Sequence, residues 1–255
     1  MLTQEQEKVK LLQGILRDVD VFASEFNKQI TSIVNAHKQN GGHLEYAYVE
    51  HFHKELMGLS GLFYYLLQSQ VNEKYAFFAV RGSLEILLYL EYVLRLAKKD
   101  SKLVLNLLSR DLAQSAAAIN EAAPVDDSHQ IHTTLRDIDT VNKILNTDFD
   151  LDKVKSNSKA FPDIKSLCNQ SELNIKNSQG ADIYHIYALY SESNHLRLGN
   201  QHAITDETDI LTVWALEYFI EIYIKFYDQI LATGIFDAEH RDKLDTLKQR
   251  VGLSW

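Results

Sequence analysis

Proline and glycine are scarce in this chain, which has two prolines and ten glycines among 255 residues. Average usage is roughly 5% for proline and roughly 7% for glycine. Because proline breaks helices and strand-rich folds need many turns, the scarcity argues against a strand-rich protein. It predicts an all-α fold built from long helices.

Cysteine is almost absent, since Cys168 is the single one. One thiol cannot form an intrachain disulfide or a multi-cysteine zinc site. No histidine lies near Cys168 in the sequence, and a lone thiol most often behaves as a small apolar side chain. The chain also starts without the basic and then apolar order of a signal peptide. We therefore expect a cytoplasmic protein.

Long uninterrupted apolar runs are missing as well. The most apolar stretches, 84–97 and 210–224, contain charged residues such as Arg95 and Glu221. Both fall short of the ~20 clean residues that a membrane span needs, so no membrane association is expected. The formal net charge of −9 argues against general double-stranded DNA binding, which depends on Lys and Arg at phosphates. A local basic pocket is still compatible with that charge.

Apolar residues recur every three or four positions over most of the chain, as in amphipathic helices. Gly41-Gly42 ends the first helix, Asp100-Ser101 can cap the fourth, and Gly234 closes the long helix before it. Seven helices are expected, over 4–40, 43–69, 73–98, 100–121, 127–146, 206–232 and 237–250, besides the helix-like stretch 184–202.

We expect a single all-helical domain over 1–255, an up-and-down multi-helix bundle. Its parts are an N-terminal helix (1–40), a helical core (43–146), a connecting region (147–180) and C-terminal helices that complete the bundle (181–255). The connecting region is rich in Asn, Ser, Lys and Asp, with Phe161-Pro162 as its anchor. Short helices and loops are expected there.

The first candidate site lies in a very apolar helix. Arg81 and Glu85 are four residues apart and therefore share a helix face, which continues to Leu88 and Tyr92. A buried arginine without a partner is costly. Either the two residues form a structural pair that orients the bundle, or they line a pocket.

The second candidate is the segment 184–202, which holds three histidines, an arginine, a glutamate and two serines. On a helix Tyr187, Ser191 and His195 align, with Glu192 beside His195. Arg197 and His202, with four residues between them, follow near the expected helix end. With eight arginines and ten histidines in the chain, about one such spacing is expected by chance.

The residues of both candidate sites occur in a pattern that resembles a known protein family. The Arg81-Gly-Ser-Leu-Glu85 helix, the Pro162 connection and the Tyr-x-x-x-Ser-Glu-x-x-His run from Tyr187 to His195 are together similar to an uncharacterised bacterial all-helical family. In that family an Arg-x-x-x-Glu helix precedes a Ser-Glu-x-x-His helix. The likeness spans about Leu56 to Trp214, and Leu196-Arg197-Leu198 stands where the family often has Pro or Gly.

The chain more loosely resembles HEPN domains, helical nucleotide-binding bundles that include metal-independent ribonucleases. Their Arg-(four to six residues)-His signature corresponds to Arg197 and His202. The resemblance implies a homodimer with both motifs facing one cleft, no cofactor, proton transfer by the histidine and a phosphate contact by the arginine. That chemistry suits an imidazole and a guanidinium.

A di-iron bundle is a further alternative, because such sites combine Glu-x-x-His pairs with carboxylates from other helices. It predicts an oxidase or oxygen sensor. His51 is excluded from a site that uses His53, because a spacing of two points them apart. The ligand set would be Glu50 with His53, Glu192 with His195, Glu85, and Glu217 or Glu221.

The leading hypothesis from the sequence is a pocket that binds or acts on nucleotide or RNA. Its binding residues would be Arg81, Glu85, Tyr187, Ser191 and Glu192, and its catalytic residues His195, His202 and Arg197, with no metal. The alternatives are a non-catalytic homodimeric interaction module and the ferritin-like di-metal oxidase. The abundant tyrosine and phenylalanine side chains of 63–78 and 218–227 are expected in the core and at helix interfaces.

Overall fold

A computed structural model describes residues 4–40, 45–68, 76–108, 110–111, 160–173, 175, 183–194, 208–234 and 238–251. Within these ranges the chain is mostly α-helical and contains no strand, which confirms the all-α prediction. A further helical stretch occupies 101–108. The helices are α1 (Gln4–Asn40), α2 (Glu45–Gln68), α3 (Ala76–Lys99), α4 (Ile164–Gln170), α5 (Ile183–Asn194), α6 (Thr208–Leu231) and α7 (Ala238–Val251).

Helix α6 is central to the packing. It contacts α1 and α3 extensively and α2 to a smaller extent, while α1 and α2 pack on each other and α7 packs against α1 and α6. Helices α4 and α5 both pack against α3. The apolar stripe of α1 predicted from the sequence is buried from Leu12 to Ile30. Helix α3 therefore contacts both the long helices α2 and α6 and the shorter helices α4 and α5, of which α5 carries part of the candidate site.

Helices α2 and α3 are antiparallel neighbours. A helix of 24 residues is roughly 36 Å long at ~1.5 Å per residue. The seven residues between α2 and α3 span at most roughly 25 Å, so the chain cannot return to start a parallel partner. Leu59 lies against the backbone of Gly82, where an added Cβ would be 3.0 Å from its Cδ1.

The predicted helix bounds agree closely with the structure wherever it describes them. Helix α1 covers the predicted 4–40, and α7 is displaced by a single residue at each end. The predicted cap of the fourth helix is present, because the Lys102 N–H donates to Asp100 Oδ1 at 2.9 Å. The remainder of that helix after residue 111 and the helix expected over 127–146 lie outside the described residues.

The connecting region contains the short helix that the sequence predicts. Asp163 caps α4, since its carboxylate accepts from the Ser166 N–H at 2.9 Å. Phe161 anchors the region, with its ring centroid 4.6 Å from that of Tyr89 on α3 and 6.5 Å from that of Phe52 on α2. Cys168 on α4 is buried, as expected of a small apolar side chain.

The predicted glycine follows the end of α6. Gly234 has a φ of 77°, a left-handed conformation that favours glycine after a helix. Its N–H donates to the Leu231 carbonyl at 3.1 Å. Among the described helices, α6 included, none has the length and apolar character required to cross a membrane.

Candidate functional site

Three polar side chains from two helices meet at the junction of α3 and α5. Arg81 Nε donates to Glu85 Oε1 at 3.0 Å, and Arg81 Nη2 donates to the Tyr187 hydroxyl at 3.0 Å. The Tyr187 hydroxyl in turn donates to Glu85 Oε1 at 3.0 Å. We call these three residues the Arg81 cluster. It closes a ring of hydrogen bonds between positions 106 residues apart.

The local sequence explains why the ring closes. A spacing of four places Arg81 and Glu85 on one face of α3. Ile183 and Ile186 are buried and hold α5 against the bundle, where it packs on α3. Tyr187 follows Ile186 and lies one turn beyond Ile183, so it sits beside the α3 face that carries Arg81.

Electrostatics keep Arg81 charged. Partial burial works against its charge, but the Glu85 carboxylate and the Tyr187 hydroxyl more than offset that effect and raise the pKa of Arg81. The guanidinium carbon also lies 5.2 Å from the centre of the Tyr187 ring, within cation–π range. Burial and the nearby Glu85 raise the pKa of Tyr89, one turn further along α3.

The Arg81 cluster is partly open to solvent. The side chains of Arg81 and Glu85 are 32% and 27% exposed, so Arg81 is only partly buried and has Glu85 as its partner. A guanidinium has five N–H groups, and the described residues accept from two of those on Arg81. The edge formed by Nη1 and Nη2 is the part of Arg81 that suits a planar, doubly accepting anion.

The rest of the predicted site is only partly described. Ser191 and Glu192 belong to the helical residues of α5, and Ser191 follows Tyr187 by one turn, but the structure describes neither side chain. His195, Arg197 and His202 lie outside the described residues. The structure thus brings together Arg81, Glu85 and Tyr187 out of the eight predicted site residues, and these were predicted as ligand-binding rather than catalytic.

The di-metal alternative gains no support from the described residues. His53 is fully buried, and its Nδ1 lies 3.0 Å from the Tyr227 hydroxyl. Within the described part of the chain, no group of three His, Cys, Asp or Glu side chains could hold a metal ion. Each described carboxylate of the proposed set has a cationic partner instead: Glu50 with Lys54 at 2.8 Å, Glu85 with Arg81, Glu217 with Lys8 at 2.7 Å and Glu221 with Lys225 at 3.9 Å.

A second polar group, not predicted from the sequence, lies inside the bundle. We call it the core polar chain: Asp20 and Ser60, then Tyr223, Tyr227 and His53. Ser60 Oγ donates to Asp20 Oδ1 at 2.7 Å, and the rings of Tyr223 and Tyr227 have centroids 5.5 Å apart. Phe22 and Phe26 cover Tyr227 edge-on, at 5.1 and 5.3 Å between ring centroids.

Burial changes the acid–base behaviour of this chain. It lowers the pKa of His53 to about 4, so the ring is neutral at pH 7. Burial also raises the pKa values of Asp20, Tyr223 and Tyr227. The spacing of tyrosines in α6 correctly predicted that they are core residues. The contact of Tyr227 with His53, 174 residues away in the sequence, depends on how α2 and α6 pack together.

Comparison of the chain with protein-family models, with curated proteins and with solved structures finds no match. The resemblances to an uncharacterised bacterial all-helical family and to HEPN domains therefore stay predictions.

Proposed function

We propose that the Arg81 cluster is part of a binding site for a phosphate-bearing ligand, a nucleotide or RNA. The observation that carries the proposal is the ring of three hydrogen bonds that holds a partly exposed, charged guanidinium at a fixed angle. An arginine fixed in this way loses less side-chain entropy when it binds an anion. Glu85 and Tyr187 are positioning residues in this account.

The donor geometry of Arg81 suits the oxygen pair of a phosphate group. Glu85 accepts from the Nε side of Arg81, while the Nη1 and Nη2 groups form a planar donor pair. Such a pair matches two phosphate oxygens. Phosphate contacts alone carry no base preference, so the cluster accounts for affinity for phosphate and not for a particular nucleotide.

Equilibrium binding tests this function, with ATP and a labelled single-stranded RNA as separate probes. Replacing Arg81 by alanine should weaken binding at least about tenfold, the usual effect of one lost charged hydrogen bond. Arg250→Ala is the matched control, because Arg250 on α7 pairs with Asp18 on α1, whereas the Arg81 cluster lies on α3 and α5. Equal affinity in the two variants, or no binding by the wild-type protein, would contradict the proposal.

The catalytic form of this proposal is a metal-independent ribonuclease. One of His195 and His202 would take the proton of a 2′-hydroxyl as that oxygen attacks phosphorus. The P–O5′ bond then breaks, the 5′ oxygen receives a proton, and a 2′,3′-cyclic phosphate is left. Arg81 and Arg197 would neutralise the phosphate. This form rests on the sequence pattern of 191–202, and unchanged RNA cleavage by a His195→Ala, His202→Ala double variant would exclude it.

A non-catalytic homodimeric module is the second candidate, supported by exposed apolar residues on α2 and α3. Leu62 and Tyr65 on α2 are 43% and 65% exposed, and Phe78 on α3 is 43% exposed. Because α2 and α3 are antiparallel and Leu59 faces Gly82, Leu62 and Phe78 lie at the same level of the helix pair. A second copy of the chain can cover this face, and the Arg81 cluster would then be structural.

Sedimentation of the purified protein tests the module. Leu62→Asp should convert a dimer to a monomer, because it places a charge in the covered face. Leu11→Asp is the control, since Leu11 is 61% exposed on α1. A wild-type monomer at high protein concentration, or an equal effect of both variants, would remove this candidate.

A further inference from the structure

A cleft of about 790 Å³ opens at one end of the bundle, away from the Arg81 cluster. Its walls come from the first residues of α2, the last two turns of α3, the segment after α4 and the last turn of α6 with the residues that follow it. This volume lies within the range of roughly 300–1,000 Å³ typical of small-molecule sites. The cleft begins at Glu91 on α3, six residues beyond Glu85.

The cleft wall contains two buried hydrogen-bond acceptors, beside the hydroxyl-bearing side chain of the buried Tyr46. Glu45 is 8% exposed and lies in the wall, and an ionised carboxylate accepts hydrogen bonds only. Gln229 Oε1, in the same wall, is buried and has no hydrogen-bond partner among the described residues. An unsatisfied buried acceptor is unfavourable, so a ligand that brings a donor to Gln229 would be favoured.

Two other charged residues of the cleft have structural roles. Both Nη groups of Arg95 donate to Gln170, one to its carbonyl oxygen and one to its side-chain oxygen. Glu91 Oε1 accepts from the Glu172 N–H at 2.6 Å. These bonds hold the end of α4 and the segment after it against α3. The remaining cation, Lys98, is exposed at the rim, where water screens its charge.

Part of the cleft lining is apolar. Leu94 and Ala97 on α3, Leu173 after α4 and Ala232 after α6 form it. A bound molecule thus meets both buried acceptors and alkyl groups. That combination selects a donor group attached to a short hydrocarbon.

We propose that this cleft binds an organic amine, whose protonated nitrogen donates to Glu45 and Gln229 while its alkyl part contacts Leu94, Ala97 and Ala232. The site is separate from the Arg81 cluster and prefers the opposite charge. It therefore does not depend on the proposed phosphate function, and either can fail without the other.

Calorimetric titration of the full chain tests the proposal with four probes: n-butylamine, 1,4-diaminobutane, n-butanol and 4-aminobutanoate. The two amines should bind saturably and butanol should not. Glu45→Gln should weaken amine binding at least about tenfold, through the lost charged hydrogen bond. Glu239→Gln should leave it unchanged, because Glu239 is an exposed partner of Lys243 on α7.

A second variant keeps the test valid if Glu45→Gln does not fold. Ala97→Leu places a larger side chain inside the cleft and should abolish amine binding, while Gln229→Glu should strengthen it. Three results would overturn the proposal: no saturable binding of either amine, equal binding of butanol, or preferred binding of 4-aminobutanoate. The last would show that the exposed Lys98 selects the ligand through a carboxylate.

Discussion

The Arg81 cluster and the core polar chain both link helices through polar side chains, but they differ in their access to water. Arg81 and Glu85 are about a third and a quarter exposed, whereas His53, Tyr223 and Tyr227 are fully buried. The pKa of Arg81 is raised by its partners, which favours its charge. Burial lowers the pKa of His53 to about 4, which suppresses its charge.

This difference separates two roles that look alike in a sequence. A charged group that stays charged and partly exposed can meet a ligand. A polar group that is neutral and enclosed by Phe22 and Phe26 can only contribute to stability and to the alignment of helices. Changes in the core polar chain should therefore alter the free energy of unfolding, and changes in the Arg81 cluster should mainly alter ligand binding.

The largest expected effect is the pH dependence that His53 gives to stability. Its pKa is lowered from 6.5 to about 4, so the unfolded chain binds more protons between these values. The His53 contribution is complete above pH 6.5 and is lost as the pH falls toward 4, by up to about 3 kcal/mol. Denaturant unfolding of the wild-type and His53→Gln proteins from pH 4 to 7 measures this contribution as the difference between their free energies of unfolding.

Glu221 must be measured beside His53, because its effect has the opposite sign. Burial raises the pKa of Glu221 from 4.5 to about 7, so the folded protein binds more protons in that window. The Glu221 contribution is present below pH 4.5 and is lost as the pH rises to 7. The Glu221→Gln variant should therefore become more stable relative to wild type as the pH rises from 4.5 to 7. A difference in free energy of unfolding that does not vary with pH would contradict this assignment.

Next in size is the loss of the Tyr227 hydroxyl. Tyr227→Phe leaves His53 Nδ1 buried without its partner at 3.0 Å and should lower the free energy of unfolding by about 1–3 kcal/mol. Tyr65→Phe, which removes an exposed hydroxyl, should change it by less than about 0.5 kcal/mol. Equal effects in the two variants would show that the His53 contact does not stabilise the core.

A smaller loss of stability is expected at the Arg81 cluster. Arg81→Ala removes two hydrogen bonds in a partly exposed setting, and such pairs contribute up to about 1 kcal/mol. The Tyr187 to Glu85 bond stays available in that variant. Thermal or denaturant unfolding measures the change, and a loss of several kcal/mol without any ligand binding would favour the purely structural interpretation.

Sequence patterns predicted the helices and part of the cluster for physical reasons. The bounds of α1 and α7 follow from apolar spacing and from nearby helix-ending residues. The Arg81–Glu85 pair follows from a spacing of four, and Tyr187 was expected in the same pocket. The Tyr187 bonds to both residues required the position of α5 on α3, which spacing within one helix does not contain.

The residues that sequence reasoning missed all depend on contacts between distant helices. His53 entered only the alternative di-metal hypothesis, through its Glu-x-x-His pair, whereas it packs beside Tyr227 on α6. Asp20 lies three residues before Ala23, on the buried side of α1. Nothing in the local sequence predicted its hydrogen bond with Ser60. Glu45 and Gln229 line the same cleft, although they belong to helix ends that are far apart in the chain.

The most direct test is a matched pair of tyrosine variants, Tyr187→Phe and Tyr227→Phe, each measured for RNA affinity under conditions where both are fully folded. Tyr187→Phe loses the hydroxyl that holds Arg81 Nη2 and donates to Glu85. It should weaken RNA binding several-fold with little change in stability, while Tyr227→Phe should lower stability and leave the affinity of the folded protein unchanged. Loss of affinity in Tyr227→Phe but not in Tyr187→Phe would contradict the division between binding cluster and structural core.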